Sequence, residues 1–133
     1  MFNHNVETVE RLSNEIRTRA TYRKSLEVLR FAAKAGNGIP VKSGIMLGLG
    51  ETDDEVVETL KDLRRAGVSI VTIGQYLPPS ADHWPLDRFV TPDEFARFGK
   101  IAEELGFSAV ASSPLVRSSY HAGELQRKGE AGS

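Results

Sequence analysis

Cysteine is absent from this 133-residue chain. Its absence excludes disulfides, thiolate nucleophiles and any metal–sulfur site built from this chain alone. Long apolar runs are missing too, and none approaches the ~20 residues that a helix needs to cross a bilayer. Neither sign of charge dominates. The formal net charge is −1, which leaves no electrostatic footprint for nucleic acid or an acidic membrane. The opening Met1-Phe2-Asn3-His4 lacks a basic-then-apolar secretion signal, so the expected location is the cytoplasm. Low-complexity segments are absent as well.

What remains is a globular mixture, 40% hydrophobic and 26% charged, of a length that suits one domain. Three helices can be read with their ends. The first runs from about Lys24 to Ala35, with Leu26, Leu29 and Ala33 on one face and Gly36 as its stop. The second opens on Thr52-Asp53-Asp54-Glu55, a capping box in which the threonine hydroxyl and the glutamate carboxylate satisfy each other's backbone N–H groups. Val56, Leu60 and Leu63 form its apolar stripe and Gly67 ends it. The third opens on Thr91-Pro92-Asp93-Glu94, a second capping box with proline at the first helical position. It turns Phe95, Phe98, Ile101 and Leu105 inward and stops at Gly106. A weaker helical pattern covers Thr8 to Arg17.

An apolar run follows each stopping glycine: Ile39 to Leu49, Val68 to Leu77, and Phe107 to Ser112. Ile70-Val71-Thr72-Ile73 is β-branched throughout, as in strands buried on both faces. Phe2-Asn3-His4-Asn5 reads as the end of a further strand. Strands alternating with helices over short joints predict an α/β fold of parallel strands with helices outside. Three or four strands cannot close a barrel, so the expectation is an open sheet or part of something larger. The domain is expected over residues 1–125, with 126–133 as a disordered tail.

In parallel α/β folds function collects at the C-terminal ends of the strands. Four clusters fall there: Asn3 to Thr8, Gly44 to Glu51, Gly74 to Pro78, and Arg117 to His121. Each has a plain alternative. The Asn-His-Asn-Val-Glu segment is an Asx-turn and helix cap, or a set of short donors and acceptors for ribose hydroxyls. Gly44, Gly48 and Gly50 are packing glycines, or a bare backbone on which a flat heterocycle lies. Gln75 and Tyr76 end the sheet or bind a base edge. Lys42 alternates onto the face opposite Val41 and is either a solvated edge residue or a functional cation. His83 and Trp84 are expected as surface loop residues.

Together, the stretches "FNHNVET", "VKSGIMLGLGET", "TIGQYLPPS" and "SSPLVRSSYHA" resemble the C-terminal half of lipoyl synthase, a radical S-adenosylmethionine enzyme. The resemblance runs from Phe2 to about Leu125, and Arg-Ser-Ser-Tyr-His-Ala is its most specific element. It implies the C-terminal part of a TIM-like partial barrel. It also implies two [4Fe–4S] clusters: one yields a 5′-deoxyadenosyl radical from S-adenosylmethionine, and the auxiliary one is consumed as the source of two sulfur atoms. These atoms enter an octanoyl chain carried on a partner protein domain, the product being the lipoyl cofactor.

By motif, the resemblance makes Asn5 and Glu7 ribose contacts. Gly44, Met46 and Gly48 fall on the strand that supports adenine, and Gln75, Tyr76 and Leu77 on the next. It favours Ser119 as a ligand to the auxiliary cluster, with Ser118 as the alternative, and gives His4, Lys42 and Arg117 supporting places. Both cysteine trios of the family are missing. The chain therefore reads as a piece that needs an N-terminal half and is inactive alone. The alternatives are a non-catalytic half-barrel that binds a nucleoside or carrier domain, and a biotin-synthase-like sulfur inserter, against which the Arg-Ser-Ser-Tyr-His segment argues.

Overall fold

The computed structural model describes residues 1–16, 21–36 and 38–115. Its elements are β1 (Phe2–Asn3), α1 (Glu10–Ile16), α2 (Tyr22–Ala35), β2 (Val41–Leu47), α3 (Asp53–Ala66), β3 (Ile70–Gln75), α4 (Pro92–Glu104) and β4 (Ala109–Ser112). The strands form one sheet in the order β1-β2-β3-β4, and every pairing is parallel.

The helix ends follow the local chemistry. The Thr52 hydroxyl accepts from the Glu55 N–H at 3.2 Å, and the Glu55 carboxylate accepts from the Thr52 N–H at 2.9 Å. Thr91 and Glu94 make the same exchange at 3.1 and 3.0 Å. Gly67 closes α3 in the left-handed region, at φ 99°. Helix α2 begins earlier than the expected Lys24. Thr21 caps it, and Tyr22 is buried in its first turn with its hydroxyl donated to Asp62 at 2.7 Å. Helix α1 is shorter than the expected Thr8–Arg17, since Thr8 and Val9 belong to the approach; Arg17 lies outside the described residues.

The pleat sorts the sheet residues onto two faces. Val41, Ile45 and Leu47 of β2 and Val71 and Ile73 of β3 face the helices, where Leu29, Leu60, Leu63, Phe95 and Phe98 cover them. Each such side chain contributes about 1.5–3 kcal/mol by leaving water. Lys42, Gly44 and Met46 of β2 and Ile70, Thr72 and Gly74 of β3 take the opposite, inner face. Lys42 therefore lies opposite Val41, as alternation required.

The sheet is open. Beside β1, Phe2, Val28 and Phe31 remain exposed and line a shallow apolar hollow with Glu27 and Ala32. Among the described residues, no helix is long and apolar enough to cross a membrane.

Candidate functional site

The site is built where the chain leaves β1. Beyond Asn3 the backbone stays beside β2 but bulges. The His4 N–H bonds Lys42 O at 3.1 Å, and the next backbone contact is the Glu7 N–H to Gly44 O, also 3.1 Å. Between them the Val6 N–H is met by the buried Ser43 hydroxyl at 3.3 Å. Glu7 then pairs with Ile45 as an isolated bridge, returning its carbonyl to the Met46 N–H at 2.8 Å. Glu7 accommodates this path at φ 75°, a left-handed conformation that costs a residue with a Cβ about 1–2 kcal/mol. It is the only non-glycine residue with positive φ among those described. The strain is stored beside the most polar cluster on the inner face.

This path sets Glu7 and Thr8 against Met46, Leu49 and Tyr76, with Ile16 of α1 as a further wall, around a cavity of about 290 Å³. One layer deeper, Asn5, Gly44 and Thr72 converge. Gly44 sits opposite Thr72 in the register. A Cβ on Gly44 would stand 2.6 Å from Thr72 Oγ1 and 3.0 Å from Asn5 Oδ1. Only glycine leaves both oxygens their space. Asn5 Oδ1 is buried and has no hydrogen-bond partner among the described residues, and the same holds for Thr8 Oγ1. Lys42 lies below them on the same face, 1% exposed, and burial lowers its ammonium pKa.

The structure thus brings together Asn5, Glu7, Gly44, Met46 and Tyr76, which stand far apart in the chain. It places the other expected site residues differently. His4 turns away to α2, where Nε2 meets the buried Ser25 hydroxyl at 3.1 Å. Gly48 offers no bare surface to a heterocycle, because the chain fills that space itself: a Cβ there would fall on Gln75 Nε2 and 2.5 Å from Arg88 O. Its N–H is also engaged, donating with that of Leu49 to the Glu51 carboxylate. This gives Glu51 a turn-closing role.

The Gln75 side chain bonds the chain's own backbone at Tyr76, Arg88 and Val90. Leu77 is exposed and outside the cavity lining. Trp84 is not the surface residue expected; it packs partly against the core and donates to Leu49 O at 3.0 Å. His83 stays exposed. Arg117, Ser118, Ser119 and the proposed tail lie outside the described residues. The wall residues Ile16 and Leu49, and Thr72 beneath, were not singled out from the sequence.

The site thus combines a buried acceptor without a partner among the described residues, a glycine cradle beside it, and an apolar-walled cavity with one carboxylate. Iron–sulfur clusters do not fit this chain. It has no cysteine, and among the described residues no three His, Cys, Asp or Glu side chains are grouped to hold a metal.

Residues 1–63 match the family model described as the radical SAM superfamily, a span that contains Asn5, Glu7, Gly44 and Met46. Lipoyl synthase 2 of Thermosynechococcus vestitus is 58% identical over 123 residues, which cover 92% of this chain and 42% of that protein. The lipoyl synthase of Rubrobacter xylanophilus is 57% identical over 123 residues, 92% of this chain and 38% of the relative. That of Alcanivorax borkumensis is 54% identical over 129 residues, 97% and 39%. The chain spans about two fifths of the length of the curated relatives it matches. Its parallel βα units are those of a partial TIM-like barrel, and the chain belongs to the lipoyl synthases of the radical SAM superfamily.

Proposed function

We propose that the cavity at the C-terminal ends of β2 and β3 holds the nucleoside of S-adenosylmethionine, and that this chain is the nucleoside-binding segment of a lipoyl synthase. The observation that carries the reading is Asn5 Oδ1, a buried acceptor without a partner among the described residues, beside Gly44 and inside the segment that matches the superfamily. A buried acceptor left unpaired costs about 1–3 kcal/mol, which a ligand donor such as a ribose hydroxyl would recover. Glu7 offers a second acceptor on the cavity wall, and Met46, Leu49 and Tyr76 keep water from a ligand's flat face.

When bound, S-adenosylmethionine supplies the one-electron chemistry that an unactivated C–H bond demands. The chain's own task is to bind and orient it, because small errors of placement are costly in such reactions. The proposed reaction of the whole protein inserts two sulfur atoms into an octanoyl chain on a lipoyl-carrier domain, in the cytoplasm. The thiolates for both clusters must come from polypeptide outside this chain. Ser119 is proposed by motif as the serine ligand of the auxiliary cluster, with Ser118 as its alternative. Alone, a chain without thiolates does no more than bind, which favours the half-barrel binding module as the description of this piece by itself.

Titration calorimetry of the chain with S-adenosylmethionine and with 5′-deoxyadenosine tests the reading. Both should bind. Asn5→Ala should lower affinity about tenfold or more without lowering the denaturation midpoint, since it removes a buried acceptor that has no partner among the described residues. Equal affinity in parent and variant would overturn the assignment.

A further inference from the structure

The connection from Gln75 to Pro92 contains no helix or strand, yet it is tied at five points to the ends of β2 and β3. Connections of this length are uncommon in compact domains unless they serve a function. Gln75 Oε1 accepts from the Val90 N–H at 2.9 Å, and Gln75 Nε2 donates to Arg88 O at 3.1 Å and to Tyr76 O at 3.0 Å. The amide therefore uses both of its donors and one acceptor on the chain itself. Farther along, Trp84 Nε1 donates to Leu49 O, and the Tyr76 hydroxyl donates to Trp84 O at 2.6 Å. The Asp87 N–H bonds Gly48 O at 2.8 Å. The close approach of Arg88 O and Gln75 to Gly48 is possible only because Gly48 has no side chain.

Two of the anchored residues, Leu49 and Tyr76, are walls of the cavity; Gln75 is not. We infer that Gln75 is a positioning residue: its side-chain amide seats the strap 77–91 across the strand ends, and the seated strap fixes Tyr76 and Leu49 for the ligand. This departs from a base-edge contact for Gln75. Its consequence for the nucleoside rests on the reading above, but the seating of the strap does not.

Gln75→Glu separates the possibilities, because it keeps shape and changes donors. A protonated carboxyl retains one donor and one acceptor. An ionised carboxylate has no donor and faces the carbonyls of Tyr76 and Arg88. The titratable groups around it are Glu51 at the β2–α3 turn, the Tyr76 hydroxyl, Asp87, and Arg88 with its partner Glu94 on α4. Trp84 is the sole tryptophan and sits in the strap, so its fluorescence reports seating without any ligand.

In Q75E, Trp84 emission should approach the parent's near pH 4, where the carboxyl is largely protonated, then shift to the red and become more open to acrylamide near pH 7, reversibly. The parent should not change across that range. Gln75→Met, which has neither donor nor acceptor for these partners, should show the released emission at both pH values. Far-UV circular dichroism through the same titration should stay constant, which separates strap release from unfolding. Affinity for 5′-deoxyadenosine should fall about tenfold with release. Trp84 emission equal to the parent in both variants at both pH values would overturn the inference, whatever happens to binding. A parent that binds no nucleoside but keeps this Trp84 pattern would uphold the strap and remove the proposed function instead.

Discussion

On the outer face of the sheet, Val41, Ile45, Leu47, Val71 and Ile73 lie under three helices at 0–2% exposure. On the inner face, the same strands present Lys42, Gly44, Met46, Thr72 and Gly74, and beside them an asparagine oxygen with no partner among the described residues. One face has been optimised for burial. The other keeps polar atoms under-satisfied and backbone bare, and next to it Glu7 holds a strained conformation. Natural chains depart from local consistency mainly where a site requires it. The two faces of a single sheet show that division within one pleat.

The contrast can be broken first from its stable side. Leu60→Ala, at a fully buried outer position, should cost about 2–5 kcal/mol, read as a drop in the urea midpoint. Gly44→Ala on the inner face should cost less, about 1–3 kcal/mol, as Thr72 and Asn5 shift away from the new methyl. Nucleoside binding should nevertheless be lost in that variant, so stability and function should rank the two substitutions in opposite order. A Gly44→Ala chain that binds as the parent does would show that the inner face tolerates filling.

Lys42 sharpens the comparison through pH. Burial lowers its folded pKa below the ordinary 10.5, so the unfolded chain binds more protons in the window between the two values. This group's contribution to stability therefore rises with pH as the window is crossed. Lys42→Met should lack that rise when chemical denaturation is followed from neutral pH to about 10. An identical slope in parent and variant would mean that the inner-face lysine is as well solvated as a surface one.

Glu94, at the start of α4 on the helix side, has the opposite sign. Arg88, bound at 2.7 and 2.9 Å, and then the Thr91 backbone N–H hold its carboxyl down, from 4.5 to about 2. The stability it supplies is present above about pH 4.5 and is lost as pH falls toward 2. Glu94→Gln should flatten the thermal midpoint over that acid window, lying slightly below the parent at pH 7 and meeting it as pH falls toward 2. This is the smallest of the expected effects, since the carboxylate and its arginine are exposed to solvent.

Much of the fold was legible because its signals are local. Thr52 and Glu55, or Thr91 and Glu94, find one another within a single turn, and Gly67 and Gly106 take the positive φ that stopping glycines supply. The candidate site was only half legible. Asn5, Glu7, Gly44 and Met46 could be named from motif, but the destination of a flexible side chain could not. His4 and Asn5 are neighbours and equally polar, yet His4 goes to Ser25 on α2 and Asn5 to the inner face. Gln75 sits at a strand end as expected, but the strap claims its amide.

By itself the sequence determined the elements, their order, and which residues of each strand share a face. Capping bonds span three residues, and the strand pleat has a period of two. The tertiary structure alone decided that Gly44 lies opposite Thr72 and beside Asn5, that Glu7 must turn left-handed to bridge Ile45, and that the strap lies over Gly48. Those contacts join residues tens of positions apart. They depend on parallel register, which the helices set when they bury the outer face, and no local preference along the chain encodes that register.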